Sequence, residues 1–213
     1  MQFQSNTIYN IELSDVVTEG ASISKLLAEN LFKFFQEHTL FRWQDANNDC
    51  EDRANAICIL LDEWKIPNYK GWIFGGNFLF NKEGNLINNW KYHVATIVPV
   101  GENAGINLYV IDPAALITID TIFNWATVNT QTAFSHYLIK WGHYYIFPKQ
   151  RIQKDNWHKR NRQNYKWTMQ GLSGINGASK IGKAQICFNK NRIKKTEQNF
   201  QSLLRTPPAF LPK

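Results

Sequence analysis

The sequence contains few cysteines, three in 213 residues. An odd and small number argues against the disulfide framework that holds many small secreted domains together. If Cys50 and Cys58 share a helix, a rise of about 1.5 Å per residue puts them about 12 Å apart, too far for a disulfide. We therefore expect a reducing environment, or at least a protein that does not depend on disulfides.

Long hydrophobic runs and metal-binding patterns are also missing. The longest apolar run spans residues 56–61, well short of the roughly 20 residues of a membrane-spanning helix. Residues 1–6 lack the basic and apolar segments of a signal peptide, so none is predicted. The five histidines are scattered and Cys187 stands alone, so the sequence predicts no metal site and no cofactor.

The composition is that of a globular protein, but the charge is unevenly distributed. Residues 1–148 carry 9 Lys and Arg and 15 Asp and Glu, a net of −6, whereas residues 149–213 carry 15 and 2, a net of +13; together these give +7. We expect an acidic part, 1–148, with its core at roughly 41–148, and a basic part, 149–213, packed on the same domain. The basic part could bind an acidic protein, but no motif accompanies it that predicts specific nucleic-acid binding.

The strongest helical pattern starts at Cys50. Asn48 or Asp49 is a suitable N-cap, and acidic residues in the first turn favour the helix N-terminus. The apolar stripe of this helix predicts a buried face made of Ala54, Ile57, Cys58, Leu61 and Trp64. Because Cys50 lies four residues before Ala54, its thiol is expected to point along the same stripe.

Two strands follow, at residues 93–100 and 106–112, separated by a loop of hairpin length at 101–105. Pairing around Asn103 matches residues whose numbers sum to about 206, which sets His93 opposite Pro113 and within one residue of Asp112. We therefore expect an imidazole–carboxylate hydrogen bond between His93 and Asp112.

The remaining segments are predicted more coarsely. A helix from Ser22 or Ser24 to about His38 is expected to bury Ile23, Leu26, Leu27, Phe34 and Phe35. A strand is expected at 72–74, a helix at 120–129 with Ile122, Phe123 and Ala126 inward, and a strand at 141–148. Residues 150–165 are helical or loop, 171–177 form a turn or flexible segment, and 190–204 form a basic helix.

Cys50, His93 and Asp112 together have the chemistry of a nucleophilic triad. A thiolate is favoured at a helix N-terminus, a histidine can hold the thiol proton, and an aspartate can orient the imidazole. The alternative is that all three are structural. The Cys50 backbone N–H is the first candidate oxyanion donor, a second could come from residues 44–49 or from Trp90, and further candidates for substrate contacts are Asn48, Asp49, Trp43, Trp90 and Tyr92.

Several segments resemble the protein-glutaminase family of bacterial protein-glutamine deamidases. They are Asn48-Asp49-Cys50, Phe74-Gly75-Gly76-Asn77, Trp90-Lys91-Tyr92-His93-Val94-Ala95, Ile111-Asp112-Pro113, Trp125-Ala126-Thr127-Val128-Asn129 and Tyr144-Tyr145-Ile146-Phe147-Pro148. The resemblance implies an α+β fold with a papain/transglutaminase-like core, in which a Cys-bearing helix packs on an antiparallel sheet carrying His and Asp. It also implies a cysteine-dependent amidohydrolase with Cys50, His93 and Asp112 as catalytic residues, releasing ammonia from glutamine side chains.

Some alternatives stay open from the sequence alone. A transglutaminase-like enzyme, a peptidase and a non-catalytic basic binding module share the same residues. The expected partners are a glutamine-containing protein substrate, acidic if the basic part binds it, and an immunity or inhibitor protein. Because no signal peptide is predicted, we expect a toxin or effector held in the bacterial cytoplasm before a secretion system delivers it, or an excised domain of a secreted toxin.

Overall fold

The computed structural model describes residues 21–43, 50–73, 79–80, 86–87, 92–103, 105–130, 137–142, 157–175 and 183–211. Its helices are α1 (Lys25–Glu37), α2 (Cys50–Glu63), α3 (Ile122–Thr130), α4 (Trp157–Leu172) and α5 (Lys183–Arg205). Its strands are β1 (Tyr69–Ile73), β2 (Leu79–Phe80), β3 (Leu86–Ile87), β4 (His93–Glu102), β5 (Gly105–Ile111), β6 (Asp120–Thr121) and β7 (Tyr137–Trp141).

Helix α2 lies at the centre of the structure, between strand β4 and helix α4. The predicted stripe is buried from Ala54 to Leu61, with Trp64 packed at its edge. Burial extends beyond the stripe to polar residues of the same helix: Asp52, Arg53 and Asn55. The helix is therefore covered on several sides, which explains why its residues can reach both the sheet and the C-terminal helices.

The main sheet is antiparallel, with strand order β6-β5-β4-β1-β7. Strands β4 and β5 form the predicted hairpin, but the last pair is Glu102 with Gly105, so the pairs sum to 207 and not to 206. The turn is shorter than the predicted five-residue loop, and this shifts the register by one residue. The α+β prediction, with a Cys-bearing helix packed on an antiparallel sheet, is confirmed.

Helix α1 begins after its predicted N-cap, Ser24, whose hydroxyl accepts a hydrogen bond from the Leu27 N–H at 3.2 Å. Its buried face was predicted only in part, because the fully buried residues are Ala28, Leu31, Phe32 and Phe35. Leu26 is 67% exposed, since it lies on the opposite side of the helix from this stripe. The buried face predicted for α3 is wrong at one residue in the same way, because Phe123 is 52% exposed and Trp125 is buried instead.

The C-terminal helices pack on α2. The Asn55 amide of α2 donates to the Thr168 hydroxyl of α4 at 2.8 Å, and Phe200 of α5 is fully buried in the main core. Of the segment predicted as helix or loop, residues 157–165 are helical. The predicted helix 190–204 lies inside the longer α5. The segment predicted as a turn or flexible region, 171–177, contains the end of α4 and a turn at Gly174, whose φ is +67°.

One further predicted element, the strand at 141–148, is observed only in part. Strand β7 ends at Trp141, and the rest of the predicted strand, 143–148, lies outside the described residues. The division at residue 148 stays a prediction. Within the described ranges, no helix is long and apolar enough to cross a membrane, and no cluster of side chains could hold a metal ion.

Candidate active site

Cys50 is the first residue of α2, and its side chain is buried. The start of this helix is held against strand β4 by two contacts. The backbone N–H of Val94 donates to the Cys50 sulfur, and the Thr96 hydroxyl donates to the Ala54 carbonyl at 3.1 Å. The thiol therefore lies beside the first residues of β4, which include His93.

His93 and Asp112 form a buried pair. The distance from His93 Nε2 to Asp112 Oδ2 is 2.6 Å, and the same carboxylate oxygen accepts a hydrogen bond from the Trp125 indole N–H at 2.9 Å. In the observed register the two residues lie on one face as diagonal neighbours, which long side chains can span. A register sum of 206 would have placed them on opposite faces, so the contact was predicted correctly from a register that was wrong by one residue.

Asp112 is positioned by the end of strand β5. Its carbonyl accepts hydrogen bonds from the backbone N–H groups of Ala115 and Leu116, at 3.0 and 2.9 Å. The chain turns at this point, and Pro113, which has no N–H, cannot extend the ladder. The carboxylate is thereby fixed at the strand end, facing His93.

Cys50, His93 and Asp112 line one narrow cleft, together with Trp43 and Arg53. The cleft has a volume of about 10 Å³, roughly what one water molecule needs. The structure thus brings the three predicted residues together in one narrow cleft.

The pKa of Asp112 is below its ordinary value. Burial alone would raise this pKa, but the charge and hydrogen bond of His93 outweigh it, with further help from the Trp125 N–H and the positive charge of Arg53. Each of these contacts favours the ionised carboxylate. Asp112 is therefore a buried anion beside an imidazole, which suits it to stabilise a positive charge on that ring.

The pKa of the Cys50 thiol is raised well above its ordinary value. Burial is the main cause, followed by the negative charge and the hydrogen bond of Glu51; Arg53 and the Val94 N–H act in the opposite direction. The sequence predicted a thiolate stabilised by the helix N-terminus. In this structure burial and the adjacent carboxylate favour the neutral thiol instead.

Glu51 was not predicted as a site residue, yet it joins two residues that were. One carboxylate oxygen accepts from the Cys50 thiol at 3.1 Å, and the other accepts from the Tyr92 hydroxyl at 2.9 Å. Burial and the Glu51 charge raise the pKa of Tyr92, so this phenol stays a donor. The only available signal was adjacency, since Glu51 follows the cysteine and Tyr92 precedes the histidine.

Arg53 is a second cleft residue that the sequence patterns did not indicate. Its side chain is buried, and its guanidinium lies over the Trp43 ring at 5.4 Å from the ring centre, a cation–π arrangement. It stands three residues after Cys50, so it projects from the same side of α2. Trp43 thus lines the cleft as predicted, whereas Asn48, Asp49 and Trp90 lie outside the described residues.

Behind the site, a lysine is buried inside the fold. Lys70 of β1 is fully buried, and its ammonium donates to the Asn55 carbonyl oxygen at 2.8 Å. Burial lowers the pKa of Lys70 to about 8, although nearby Cys58 and carboxylates such as Asp62 and Asp52 oppose the shift. This lysine links the sheet to α2 and, through Asn55, to Thr168 of α4.

Comparison with known proteins places these residues in a family context. Residues 28–131 match the model of a family described as glutaminase, a range that contains Cys50, His93 and Asp112. The fold is similar to the NMR structure of protein-glutaminase from Chryseobacterium proteolyticum, with a TM-score of 0.51 and 17% identity over 76% of this chain and 95% of that chain.

A crystal structure of protein-glutaminase gives a TM-score of 0.50 and 19% identity, over 70% of this chain and 91% of that chain. At these identities the structural matches show a shared fold. No curated protein sequence matches this chain.

Proposed function

We propose that this chain is a protein-glutaminase that deamidates glutamine side chains of a protein substrate with Cys50, His93 and Asp112 as its catalytic triad. The match of residues 28–131 to the glutaminase family model and the fold shared with protein-glutaminase support the proposal. The observation that carries the assignment of residues is the buried His93–Asp112 pair at 2.6 Å, in the same cleft as a cysteine at a helix N-terminus.

In the first half of the reaction Cys50 is the nucleophile. Since Nε2 of His93 is engaged by Asp112, Nδ1 is the ring atom that takes the thiol proton. The sulfur attacks the carboxamide carbon, and Asp112 stabilises the imidazolium. His93 then returns the proton to the nitrogen, the C–N bond breaks, and ammonia leaves a thioester on Cys50.

In the second half water replaces the thiol. His93 accepts a proton from water as its oxygen attacks the thioester carbon, the C–S bond breaks, and the proton returns to Cys50. The product is a glutamate side chain. The negative oxygen formed in both halves can be stabilised by the Cys50 backbone N–H, because the first N–H groups of a helix have no partner within it.

Two other enzymes would use the same thioester. A transglutaminase would let a lysine amine attack in place of water, and a peptidase would act on a backbone amide. The match to the glutaminase family model favours water and a glutamine side chain over both. A non-catalytic binding role would not explain why a buried carboxylate–imidazole pair shares a cleft with a cysteine.

The test compares ammonia release from glutamine-containing peptides and proteins by the intact chain, Cys50→Ala and Cys58→Ala. The two cysteines lie on the same helix and are both buried, but only Cys50 lines the cleft. We expect Cys50→Ala to lose activity by several orders of magnitude with its fold intact, and Cys58→Ala to keep it. Equal activity of the intact chain and Cys50→Ala would refute the triad.

The biological setting forms part of the same proposal. Toxin or effector delivery and an immunity or inhibitor protein stay predictions from the sequence. An acidic substrate is supported by the charge of α5, on which Lys190, Arg192, Lys194 and Lys195 are exposed. Changing these four residues to Gln should raise KM for an acidic protein substrate and weaken its salt dependence, with kcat on a neutral peptide unchanged. An unchanged KM and salt dependence would exclude this role.

A further inference from the structure

The Glu51 carboxylate lies beside the sulfur that reacts in the proposed mechanism. Glu51 is half-buried, and its two oxygens accept from the Cys50 thiol at 3.1 Å and from the Tyr92 hydroxyl at 2.9 Å. Tyr92 packs against Trp72, with ring centres 5.5 Å apart, and this contact keeps the phenol in place. The Glu51 carboxylate is therefore held between the Tyr92 hydroxyl and the Cys50 thiol.

This arrangement points the thiol proton away from the base. In the reaction described above the proton must pass to His93, but in this structure it is donated to Glu51. Another donor must replace the thiol at the carboxylate before the proton can be transferred. The substrate itself carries such a donor, because the carboxamide nitrogen of glutamine has two N–H groups.

Distances support this replacement. In a reactive arrangement the carboxamide carbon lies about 3–3.5 Å from the attacking sulfur, and the amide nitrogen is bonded to that carbon. The nearer Glu51 oxygen is 3.1 Å from the same sulfur. A carboxamide that approaches Cys50 with its NH2 group toward Glu51 therefore comes within hydrogen-bonding distance of that oxygen.

We propose that Glu51 determines specificity for the carboxamide, by accepting a hydrogen bond from the side-chain NH2 of the substrate glutamine and by repelling the carboxylate of the glutamate product. This inference rests on the deamidase function proposed above. The donated N–H releases the thiol proton to His93, so that binding of the correct group activates the nucleophile. A glutamate side chain offers no N–H and brings a second negative charge.

The other charged groups of the cleft make this repulsion necessary. Arg53, on the same helix, is a buried cation that lines the cleft, and it would attract a product carboxylate. His93 of β4 is hydrogen-bonded to Asp112 at the end of β5, and the charge of Arg53 also acts on Asp112, whose pKa it lowers. Glu51 is the anion in contact with the sulfur itself, where its charge favours departure of the product.

The test measures binding of a glutamate-containing product peptide by calorimetry and, in parallel, kcat and KM for the matching glutamine peptide. Glu51→Gln keeps the size of the side chain and removes its charge. Glu63→Gln makes the same change at an exposed position of the same helix, about 18 Å along the axis. Glu51→Ala removes the acceptor as well as the charge.

We expect Glu51→Gln to bind the product peptide at least about tenfold more tightly than the intact chain, and Glu63→Gln to bind it unchanged. Glu51→Ala should show the same gain in product affinity. Its kcat for the glutamine peptide should fall further than that of Glu51→Gln, because it also lacks the hydrogen-bond acceptor. Equal product affinity in the intact chain and Glu51→Gln, with ammonia release by the intact chain preserved, would overturn the role of Glu51 alone. Absence of ammonia release by the intact chain from every glutamine substrate would overturn the deamidase function and this inference with it.

Discussion

Replacing Asp112 by Asn removes the charge that stabilises protonated His93 and leaves the size of the side chain unchanged. The Asp112 oxygen is 2.6 Å from His93 Nε2 and buried. Two unit charges about 4 Å apart attract by about 4 kcal/mol at an effective dielectric constant of about 20. If the imidazolium forms only during the reaction, loss of that attraction lowers kcat by about a thousandfold.

The asparagine adds a second defect. Its amide can present an N–H to Nε2, which would place the ring proton on Nδ1, where it blocks transfer from Cys50. Trp125→Phe is the matched control, because it removes the other hydrogen bond to the same oxygen at 2.9 Å but keeps the charge. A neutral hydrogen bond contributes about 1 kcal/mol, so the expected loss is roughly fivefold.

Activity is measured as ammonia release at neutral pH. Thermal unfolding of each variant shows whether it is folded. The pKa of Asp112 is below its ordinary value of 3.8, so the stability it contributes is present above that pH and is lost as pH falls through the lower folded-state pKa. A folded Asp112→Asn protein within about tenfold of the intact chain would refute the proposed role of Asp112.

Three further outcomes test other parts of the structure. Glu51→Gln should speed the reaction of Cys50 with iodoacetamide at about pH 8, because the Glu51 charge is one cause of the raised thiol pKa; an unchanged rate in mass-spectrometric labelling would contradict this. The pKa of Lys70 is lowered from 10.5 to about 8, so between these values the unfolded chain binds a proton that the folded chain does not. The free energy of unfolding of the intact chain relative to Lys70→Met should rise with pH in that window, by up to about 1.4 kcal/mol per pH unit, and a flat difference in denaturant titrations would exclude the shift. Gly171→Ala should lower the free energy of unfolding by about 1–3 kcal/mol, because its Cβ would overlap the Asp52 carboxylate; an unchanged midpoint in urea would show that the α2–α4 contact can adjust.

The triad residues could be found from the sequence because each stands at a boundary that local chemistry marks. Cys50 follows good capping residues and begins an apolar stripe, and Asp112 stands before a proline at the end of an apolar strand. The short loop between β4 and β5 then brings His93 and Asp112 together. The turn is one residue tighter than predicted, and in this true register the two side chains meet diagonally on one face, whereas the predicted register would have separated them.

Other features depend on tertiary packing, which sequence patterns do not encode. Leu26 fits an apolar stripe as well as Leu31 does, but only Leu31 meets the core. Nothing near Lys70 indicates that an ammonium will be fully buried, because its acceptor, Asn55, comes from another element. Glu51 suits the first turn of a helix wherever that helix lies, so its contact with the thiol appears only once β4 and Tyr92 are in place.

The proposed deamidation is tested most directly by following the fate of a peptide with one glutamine and one lysine in water enriched in heavy oxygen. We expect an uncleaved peptide with heavy oxygen in the side chain of the former glutamine, formed by the intact chain and not by Cys50→Ala. A glutamine–lysine cross-link or a cleaved backbone as the main product, or labelling that persists in Cys50→Ala, would contradict it.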